Sequence, residues 1–303
     1  MTRIENRRKE ALRLEAGEDD EGRRLDRVLR KALPALPLSA LHRLFRKGAV
    51  RLNAARAMPE SRVHKGDIIL ACVSEKTAPP KSAFSHTKPA GLNIIFENDA
   101  ILALNKPAAL VTHGEDSLES RVLAYLLPRA KSSLSFRPGP LHRLDRETSG
   151  LILFSKNLLG ARYVTEGLRT GLFKKSYLVL LRGELDSEEL WEDYLVRDGQ
   201  NKRSFAGDSR DKTARRAITR ISPVETRRGI TLAKAEIFTG RTHQIRAQAA
   251  LRGCPVAGDV KYGGGGGRMF LHSWLMEFPQ NNPAGLPPIL ECAPDPLMTR
   301  SLF

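Results

Sequence analysis

The stretch GPLHRLDRETSGLILFSKN, residues 139–157, sets one carboxylate, Asp145, between two arginines and then enters an apolar segment. The hydroxyls of the Thr-Ser-Gly sequence can bond the local backbone, and the glycine accepts a positive φ, so a turn is expected there. The apolar residues that follow are typical of a buried strand. The stretch therefore predicts that a turn holds Asp145 at the mouth of a strand.

The two flanking arginines favour the ionised form of Asp145, because a nearby opposite charge stabilises a carboxylate. An ionised aspartate is a poor general acid, but it is suited to nucleophilic attack or to stabilising a developing cation. An ordinary ion pair on a loop explains the local spacing equally well. The residues around Asp145 leave these two interpretations open.

The rest of the second half of the chain alternates between strand-like and helix-like segments. NIIFEND, AILALNKP, GLILFSKN, KKSYLVLLRGEL, ARRAITRISPVE and ITLAKAEIF are typical of strands, while LESRVLAYLLP and LLGARYVTEGLRTG are typical of helices. This order predicts an α+β fold with a mixed, largely antiparallel sheet and flanking helices.

A smaller α+β module is predicted before it. RRLDRVLRKAL, residues 23–33, has the apolar face of a helix, and so does LSALHRLFRKG. In this second helix Ser39 is the expected N-cap, and Gly48 is expected to end the helix. Strands are expected around Val50 and in KGDIILACV. Residues 27–59 contain eight Lys/Arg and no Asp or Glu. This excess favours a phosphate-binding surface, to which we assign Arg43, Arg46, Lys47 and Arg51, over a merely solvated helix face.

Composition shifts set the predicted domain boundaries. Residues 1–21 are expected to be a flexible charged tail, 22–73 the small module, 74–91 a proline-containing linker and 92–303 the larger domain. No internal repeat is found.

The overall charge indicates a polyanionic partner. Fifty Lys+Arg against 34 Asp+Glu give the 303-residue chain a formal charge of +16, which favours nucleic acid first and an anionic membrane surface second. Three scattered cysteines support neither a disulfide framework nor a cysteine-rich zinc site, and a reducing cytoplasm fits best. With no apolar leader and no long apolar run, we expect neither secretion nor a membrane span.

A second polar cluster, TGRTHQIR at residues 239–246, leads into a helix-like segment for which Thr242 is the expected cap. Positive charge at the start of a helix opposes the helix dipole unless an anion faces it. A carboxylate or phosphate partner is therefore implied for this cluster.

Several other kinds of site lack their required spacing. The sequence has no H-E-x-x-H, no G-x-x-x-x-G-K-[ST] and no G-x-S-x-G. Four histidines could in principle meet around a metal, but no pair has ligand spacing on one element: His113, His142, His243 and His272. We therefore expect no metal site.

These segments resemble the RluA family of pseudouridine synthases. The family signature H-R-L-D-x-x-T-S-G is intact at residues 142–150, and T-G-R-[TS]-H-Q-[IL]-R is intact at residues 239–246. ALNKPAALVTHG and KKSYLVLLRG resemble the family's lysine-proline and tyrosine-bearing segments, although Ala109 stands where glycine is common. Residues 22–73 resemble the S-four RNA-binding domain of the RluC-like members. The resemblance implies a pseudouridine synthase fold.

The resemblance also implies roles for individual residues. Asp145 matches the essential aspartate that attacks the flipped uridine, on the ribose or on the base ring, and Arg246 matches the arginine that pairs with it. Tyr177 matches the tyrosine that stacks on the base and helps to remove the proton from carbon 5; without the match, a core tyrosine would be expected. Arg143 matches an arginine that enters the RNA stack. We assign Arg241, His243 and Gln244 to RNA binding as well.

The expected function is that of an RNA-modifying isomerase that converts specific uridines to pseudouridine in large-subunit ribosomal RNA. It needs no metal or organic cofactor, because the reaction involves neither net redox change nor hydrolysis, and a monomer suffices. The alternative is a non-catalytic RNA-binding or ribosome-assembly protein that kept the fold. An unrelated glycosidase fits less well, because the partnered acid carboxylate is missing.

Overall fold

A computed structural model describes residues 9–74, 91–127, 133–201 and 203–300. The chain divides into two compact units. The first comprises Met1–Lys88, Leu123–Pro138 and Lys156–Leu159, and the second comprises Pro89–Val122, Gly139–Ser155 and Gly160–Phe303.

In residues 9–74, the described part of its main segment, the first unit forms helices and short strands. The helices are α1 (Leu25–Ala32) and α2 (Leu38–Arg46), and the strands are β1 (Lys9–Glu15), β2 (Arg23–Arg24), β3 (Val50–Leu52), β4 (Ala55–Arg56), β5 (Arg62–Val63) and β6 (Ile68–Ser74). One sheet has the order β1-β6-β3-β4, and β2 pairs with β5. The apolar helix faces predicted from the sequence form the core, with Leu25, Val28, Leu29, Leu41 and Phe45 buried.

The predicted charged tail is wrong from Lys9 onward. Strand β1 runs antiparallel to β6, and its Leu12 and Leu14 pack on the core of the first unit. Asp20 is fully buried and accepts hydrogen bonds from the backbone N–H groups of Gly17, Leu134 and Ser135. The alternation of two leucines with charged residues supplies enough apolar contact for a strand. Residues 1–8 lie outside the described ranges.

The start of α2 also differs from the expectation. The N-cap is Pro37, whose carbonyl accepts from the N–H groups of Ala40 and Leu41, so Ser39 lies inside the first turn and caps nothing. The helix ends as expected, with Gly48 at a φ of 62°. Most of the predicted linker, residues 75–90, lies outside the described ranges.

The second unit is built on one large sheet. Its strands are β7 (Ile94–Glu97), β8 (Ile101–Lys106), β9 (Gly139–Pro140), β10 (Ser149–Ser155), β11 (Lys174–Arg182), β12 (Glu189–Asp198), β13 (Arg203–Ala206), β14 (Arg215–Arg227), β15 (Ile230–Ile237), β16 (Leu271–Glu277) and β17 (Ile289–Glu291). The order is β13-β12-β14-β15-β11-β16-β10-β8-β7, with β17 on β16 and β9 on β10. Among the described strands, the pair β10–β16 is parallel and the others are antiparallel, which confirms the predicted α+β class.

The helices of the second half are α3 (Leu118–Leu126), α4 (Leu158–Thr170), α5 (Gln244–Leu251) and α6 (Pro296–Arg300). Val164 of α4 packs with Ile101, Leu151 and Phe173 in a buried cluster. Ala247 of α5 packs on Leu195 and Ala217 of β12 and β14. The sheet thereby fixes the position of α5, the helix that carries Arg246.

Candidate active site

The loop that carries Asp145 joins β9 to β10 and is held by its own backbone and by Thr112. The Thr112 hydroxyl donates to the carbonyl of Leu144 over 3.1 Å. The N–H of Thr148 donates to the carbonyl of Asp145 over 3.1 Å, which closes the predicted turn. Asp145 thus lies at the mouth of β10, as the sequence predicts.

The buried side chain of Lys106 holds this loop by hydrogen bonds to its backbone. The Nζ of Lys106 donates to the carbonyls of Pro107, Leu110 and Arg146, at 2.9, 2.8 and 3.0 Å. Burial lowers the pKa of Lys106 to about 8. The lysine of the lysine-proline segment therefore connects that segment to the residue that follows Asp145.

The start of β10 is fixed against β16. The Ser149 hydroxyl and the Nδ1 of His272 are 2.9 Å apart, and Nε2 of His272 lies 2.9 Å from the carbonyl of Cys292. Because a carbonyl can only accept, Nε2 carries the proton and Nδ1 accepts from Ser149. Burial lowers the pKa of His272, which favours this neutral form.

Arg246 is the ion-pair partner of Asp145, with 3.1 Å between Nη1 and Oδ2. Its other two nitrogens bind a second carboxylate. Nε lies 2.6 Å from Oδ2 of Asp259, and Nη2 lies 2.8 Å from Oδ1. The Asp259 side chain is 1% exposed and that of Asp145 is 19% exposed. One carboxylate therefore orients the guanidinium, and the other remains accessible for chemistry.

His243 also faces Asp145, with 3.5 Å between Nε2 and Oδ2. The hydroxyl of Tyr262 accepts from the N–H of Ser204 over 2.7 Å and lies 3.0 Å from Nδ1 of His243. Which of these two groups donates depends on the tautomer of His243. Burial is the main cause that lowers the pKa of His243.

The N-cap of α5 is His243 in the left-handed region, with φ at 53° and ψ at 28°, and no side chain caps the helix. Thr242 is therefore not the cap. The carbonyl of His243 accepts from the N–H of Ala247, which starts the helix one residue later than the sequence predicts.

Tyr177 lies on β11 and is 9% exposed. Burial, with a smaller contribution from the Asp145 carboxylate, raises its pKa to about 12. The phenol is therefore protonated at neutral pH in the free protein. This opposes a role for the free Tyr177 side chain as a base at carbon 5.

The residues assigned to RNA binding in the second unit differ in accessibility. Arg143 is exposed beside Asp145. Arg241 is exposed, with its Nε donating to the carbonyl of Arg216. Gln244 is 4% exposed; its Oε1 accepts from Thr239 and its Nε2 donates to the carbonyl of Ile218. Gln244 is therefore a buried support of the 239–246 loop, and its assignment to RNA contact is corrected. His243 is likewise turned toward Asp145.

In the first unit, the predicted basic surface is exposed at all four assigned positions, Arg43, Arg46, Lys47 and Arg51. A groove beside α2 is lined by cationic and apolar side chains, among them His42, Phe45, Arg46, Arg56 and Met58. The cations of this groove can accept a phosphate backbone.

Five supporting residues were not assigned from the sequence: Lys106, Thr112, Asp259, Tyr262 and His272. Asp259 and Tyr262 lie in GDVKYG, directly after the second cluster, and the implied anion opposite Arg246 was the signal for Asp259. Thr112 and His272 contact groups that are distant in sequence, namely the carbonyl of Leu144 and the hydroxyl of Ser149. In the described part of the chain, no group of three His, Cys, Asp or Glu could hold a metal, and no helix is long and apolar enough to cross a membrane.

Comparisons with known proteins identify the family. The family model for RNA pseudouridylate synthase matches residues 100–251. The ribosomal large subunit pseudouridine synthase C of Haemophilus influenzae is 34% identical over 88% of this chain and 86% of its own length. The protein of that name from Escherichia coli K12 is 32% identical over 86% of each chain.

Solved structures agree on the fold. The human RNA pseudouridylate synthase domain containing 1 protein has a TM-score of 0.57 at 23% identity, over 69% of this chain and 86% of that protein. The human domain containing 4 protein has a TM-score of 0.56 at 20% identity over 69% of this chain and 91% of its own. On the sequence similarity, with this fold, the chain belongs to the RluA-type family of RNA pseudouridylate synthases, isomerases of uridine in RNA.

Proposed function

We propose that this protein converts specific uridines of large-subunit ribosomal RNA to pseudouridine, with Asp145 as the nucleophile. The observation that carries the proposal is the Asp145–Arg246–Asp259 arrangement. The oriented guanidinium forms a charged hydrogen bond with Asp145, and that carboxylate keeps enough exposure to meet a substrate. The names of the relatives from Haemophilus influenzae and Escherichia coli support ribosomal RNA as the substrate.

The reaction begins with a uridine that is turned out of the RNA stack. Asp145 attacks this nucleotide, the bond between N1 and C1′ breaks, and the released base turns. Carbon 5 then bonds to C1′, the bond that Asp145 had formed to the nucleotide breaks and returns its electron pair to the carboxylate, carbon 5 loses its proton, and N1 gains one, so atoms and electrons balance without an oxidant or hydrolysis. Tyr177 stacks on the base, and its protonated phenol gives it no charge to desolvate.

Arg143 compensates for the extruded base. Flipping a nucleotide costs a few kcal/mol, and a planar guanidinium that enters the vacated position recovers part of this by stacking. Arg143 is exposed next to Asp145, so it can reach the RNA while Asp145 reaches the base.

The first unit serves as an S-four-like RNA-binding module in which strand β1 (Lys9–Glu15) extends residues 22–73. The 74–91 linker joins it to the catalytic domain, which lies within residues 92–303 and excludes Leu123–Pro138 and Lys156–Leu159. The module's exposed cations at 43, 46, 47 and 51 support this part of the proposal. We further propose that the enzyme acts as a cytoplasmic monomer; a dimer at micromolar concentration in light scattering would contradict the monomer.

The test compares pseudouridine maps of total RNA from cells with the wild-type protein, without it, and with Asp145→Asn. We expect defined uridines of large-subunit ribosomal RNA to lose modification in the last two, while purified Asp145→Asn still binds that RNA. Retained modification with Asp145→Asn would exclude the nucleophile, and an unchanged map without the protein would exclude the substrate. A loss confined to ribosome assembly, with modification intact, would favour the non-catalytic alternative.

A further inference from the structure

Lys175 is a cation of the second unit, in addition to Arg246, that the reaction described above does not use. Its side chain is partly buried on β11, and burial lowers its pKa. Within the described ranges, no carboxylate forms an ion pair with Lys175 and no acceptor forms a hydrogen bond with its Nζ. The neighbouring Lys174 differs, since it is exposed and its Nζ lies 3.7 Å from Glu277.

Lys175 lies between the two signature segments. It shares a face of β11 with Tyr177, because alternate residues of a strand point to the same side. Its ammonium contributes to the lowered pKa of His142, which belongs to the 142–150 segment, although burial of His142 is the larger cause. On the other side, its Nζ lies 3.9 Å from the point that a Cβ on Gly240 would occupy.

A partly buried ammonium without an ion-pair partner costs free energy. Proteins keep such groups where a bound anion supplies the opposite charge. The phosphodiester is the anion that RNA supplies on either side of an extruded base. We propose that Lys175 binds a backbone phosphate of the RNA adjacent to the target uridine. This inference rests on the proposed function, and it adds a contact at the mouth of the site that orients the strand while Tyr177 stacks on the base.

Glycine at position 240 fits this role. The backbone there leaves open space above the ammonium, because only the Lys175 Nζ lies within 4 Å of an added Cβ. A side chain at 240 would occupy the space in which a phosphate oxygen must approach. The loop therefore leaves Lys175 accessible from the side of the substrate.

The first test compares Lys175→Gln with Lys174→Gln, a control that removes the same charge one residue away. The probe is an RNA oligonucleotide that spans a uridine found by the mapping experiment. For Lys175→Gln we expect RNA affinity to fall about tenfold and the slope of log Kd against log salt to fall by about one, as for one lost phosphate contact. The single-turnover rate constant at saturating RNA should stay within about twofold, and Lys175→Arg should restore most of the affinity.

Three results would overturn the inference. One is unchanged affinity in Lys175→Gln. Another is an equal loss in Lys174→Gln, which would indicate a general charge effect. The third is a lower single-turnover rate with intact affinity, which would assign Lys175 to the chemistry. Thermal melting of each variant identifies a folding defect, and in that case Lys175→Met, which keeps the apolar stem, replaces Lys175→Gln in the same comparison.

A second test locates the phosphate. Neutral methylphosphonate linkages are placed singly on either side of the target uridine, and binding is measured with wild type and with Lys175→Gln. We expect one linkage to weaken wild-type binding about tenfold and to leave Lys175→Gln unaffected, because the partner is already lost. Additive losses at every linkage would contradict the contact. Absence of pseudouridine with the wild-type enzyme would instead contradict the proposed function.

Discussion

The orientation of the Arg246 guanidinium determines whether Asp145 has an ion-pair partner. Asp259 binds Nε and Nη2 of Arg246, which leaves Nη1 to face Asp145. The bidentate pair is the more buried of the two and has the shorter contacts, so it determines the orientation. Asp259 is thus a positioning residue for the reaction and does not meet the substrate.

We expect Asp259→Asn to lower the single-turnover rate constant by about 10²-fold while the Kd for RNA changes little. The amide keeps the shape of the carboxylate, but it lacks the charge that holds Arg246, and a misplacement of about 1 Å at a reacting group has an effect of this size. Rapid-quench measurement of pseudouridine at saturating RNA checks the rate. Asp208→Asn, at an exposed pair with Arg210, serves as the control. Equal rates for Asp259→Asn and wild type would show that Arg246 is held by other contacts.

His142, next to Arg143 in the active-site loop, makes the stability of the protein depend on pH in the acid range. His142 accepts a hydrogen bond at Nε2 from the N–H of Leu153, and burial lowers its pKa to about 3. An unfolded histidine titrates near pH 6.5. Between about pH 6.5 and 3 the unfolded chain therefore binds one more proton at this site, so the free energy of unfolding falls as the pH falls through this window.

His142→Gln should remove that dependence, because its amide oxygen can still accept from Leu153 and does not titrate. Urea unfolding between pH 7 and 4.5 measures the change. The slope of the unfolding free energy against pH should drop by up to about 1.4 kcal/mol per pH unit relative to wild type. Parallel curves for the two proteins would show that His142 is protonated in the folded state.

At the scale of elements, the parallel junction of β10 with β16 places the catalytic turn. Ser149 is paired with His272 and Gly150 with Ser273. Gly150 has a φ of 109°, and a Cβ there would lie 2.2 Å from the carbonyl oxygen of Ser273. The glycine of the signature therefore permits both the backbone conformation and the close approach of the neighbouring strand.

We expect Gly150→Ala to destabilise the protein by at least about 2 kcal/mol, because the strained φ and the clash with backbone add. It should also lower activity more than its effect on folding explains, since the turn carries Asp145. Gly199→Ala is the control, because Gly199 has no strained φ and no atom within 4 Å of an added Cβ. Calorimetric melting and single-turnover assays report the two effects, and a melting temperature equal to that of Gly199→Ala would disprove the close contact.

The sequence predicts those elements whose side-chain pattern is regular and local. Strand β10, helix α4 and both helices of the first unit follow from apolar periodicity, and the two signature segments bring Asp145 and Arg246 together as expected. Strand β12 was not predicted from the sequence, because its four acidic residues obscure the alternation of apolar and polar side chains that buries Trp191 and Leu195. Gln244 was misassigned because its buried partners, Ile218 and Thr219, come from a distant strand.

At the scale of the whole molecule, the +16 charge is unevenly distributed along the chain. Residues 27–59 carry eight cations and no acid, and the four assigned ones are exposed. Truncation is a poor way to test this surface, since Asp20 accepts from Leu134 and Ser135, and its removal would leave these buried donors unsatisfied. Substitutions that remove charge and keep the fold isolate the electrostatic contribution.

Replacement of Arg43, Arg46, Lys47 and Arg51 by Gln should weaken binding to large-subunit ribosomal RNA and lower the slope of log Kd against log salt by up to about three. The single-turnover rate constant at saturating RNA should stay close to that of wild type, because none of the four belongs to the Asp145 site. The control removes the same charge from exposed positions of the catalytic unit: Arg162, Arg197, Arg203 and Lys212. If the basic surface binds RNA, the slope of log Kd against log salt changes more in the variant at positions 43, 46, 47 and 51 than in the control. Equal slopes in the two variants would mean that only the total charge matters.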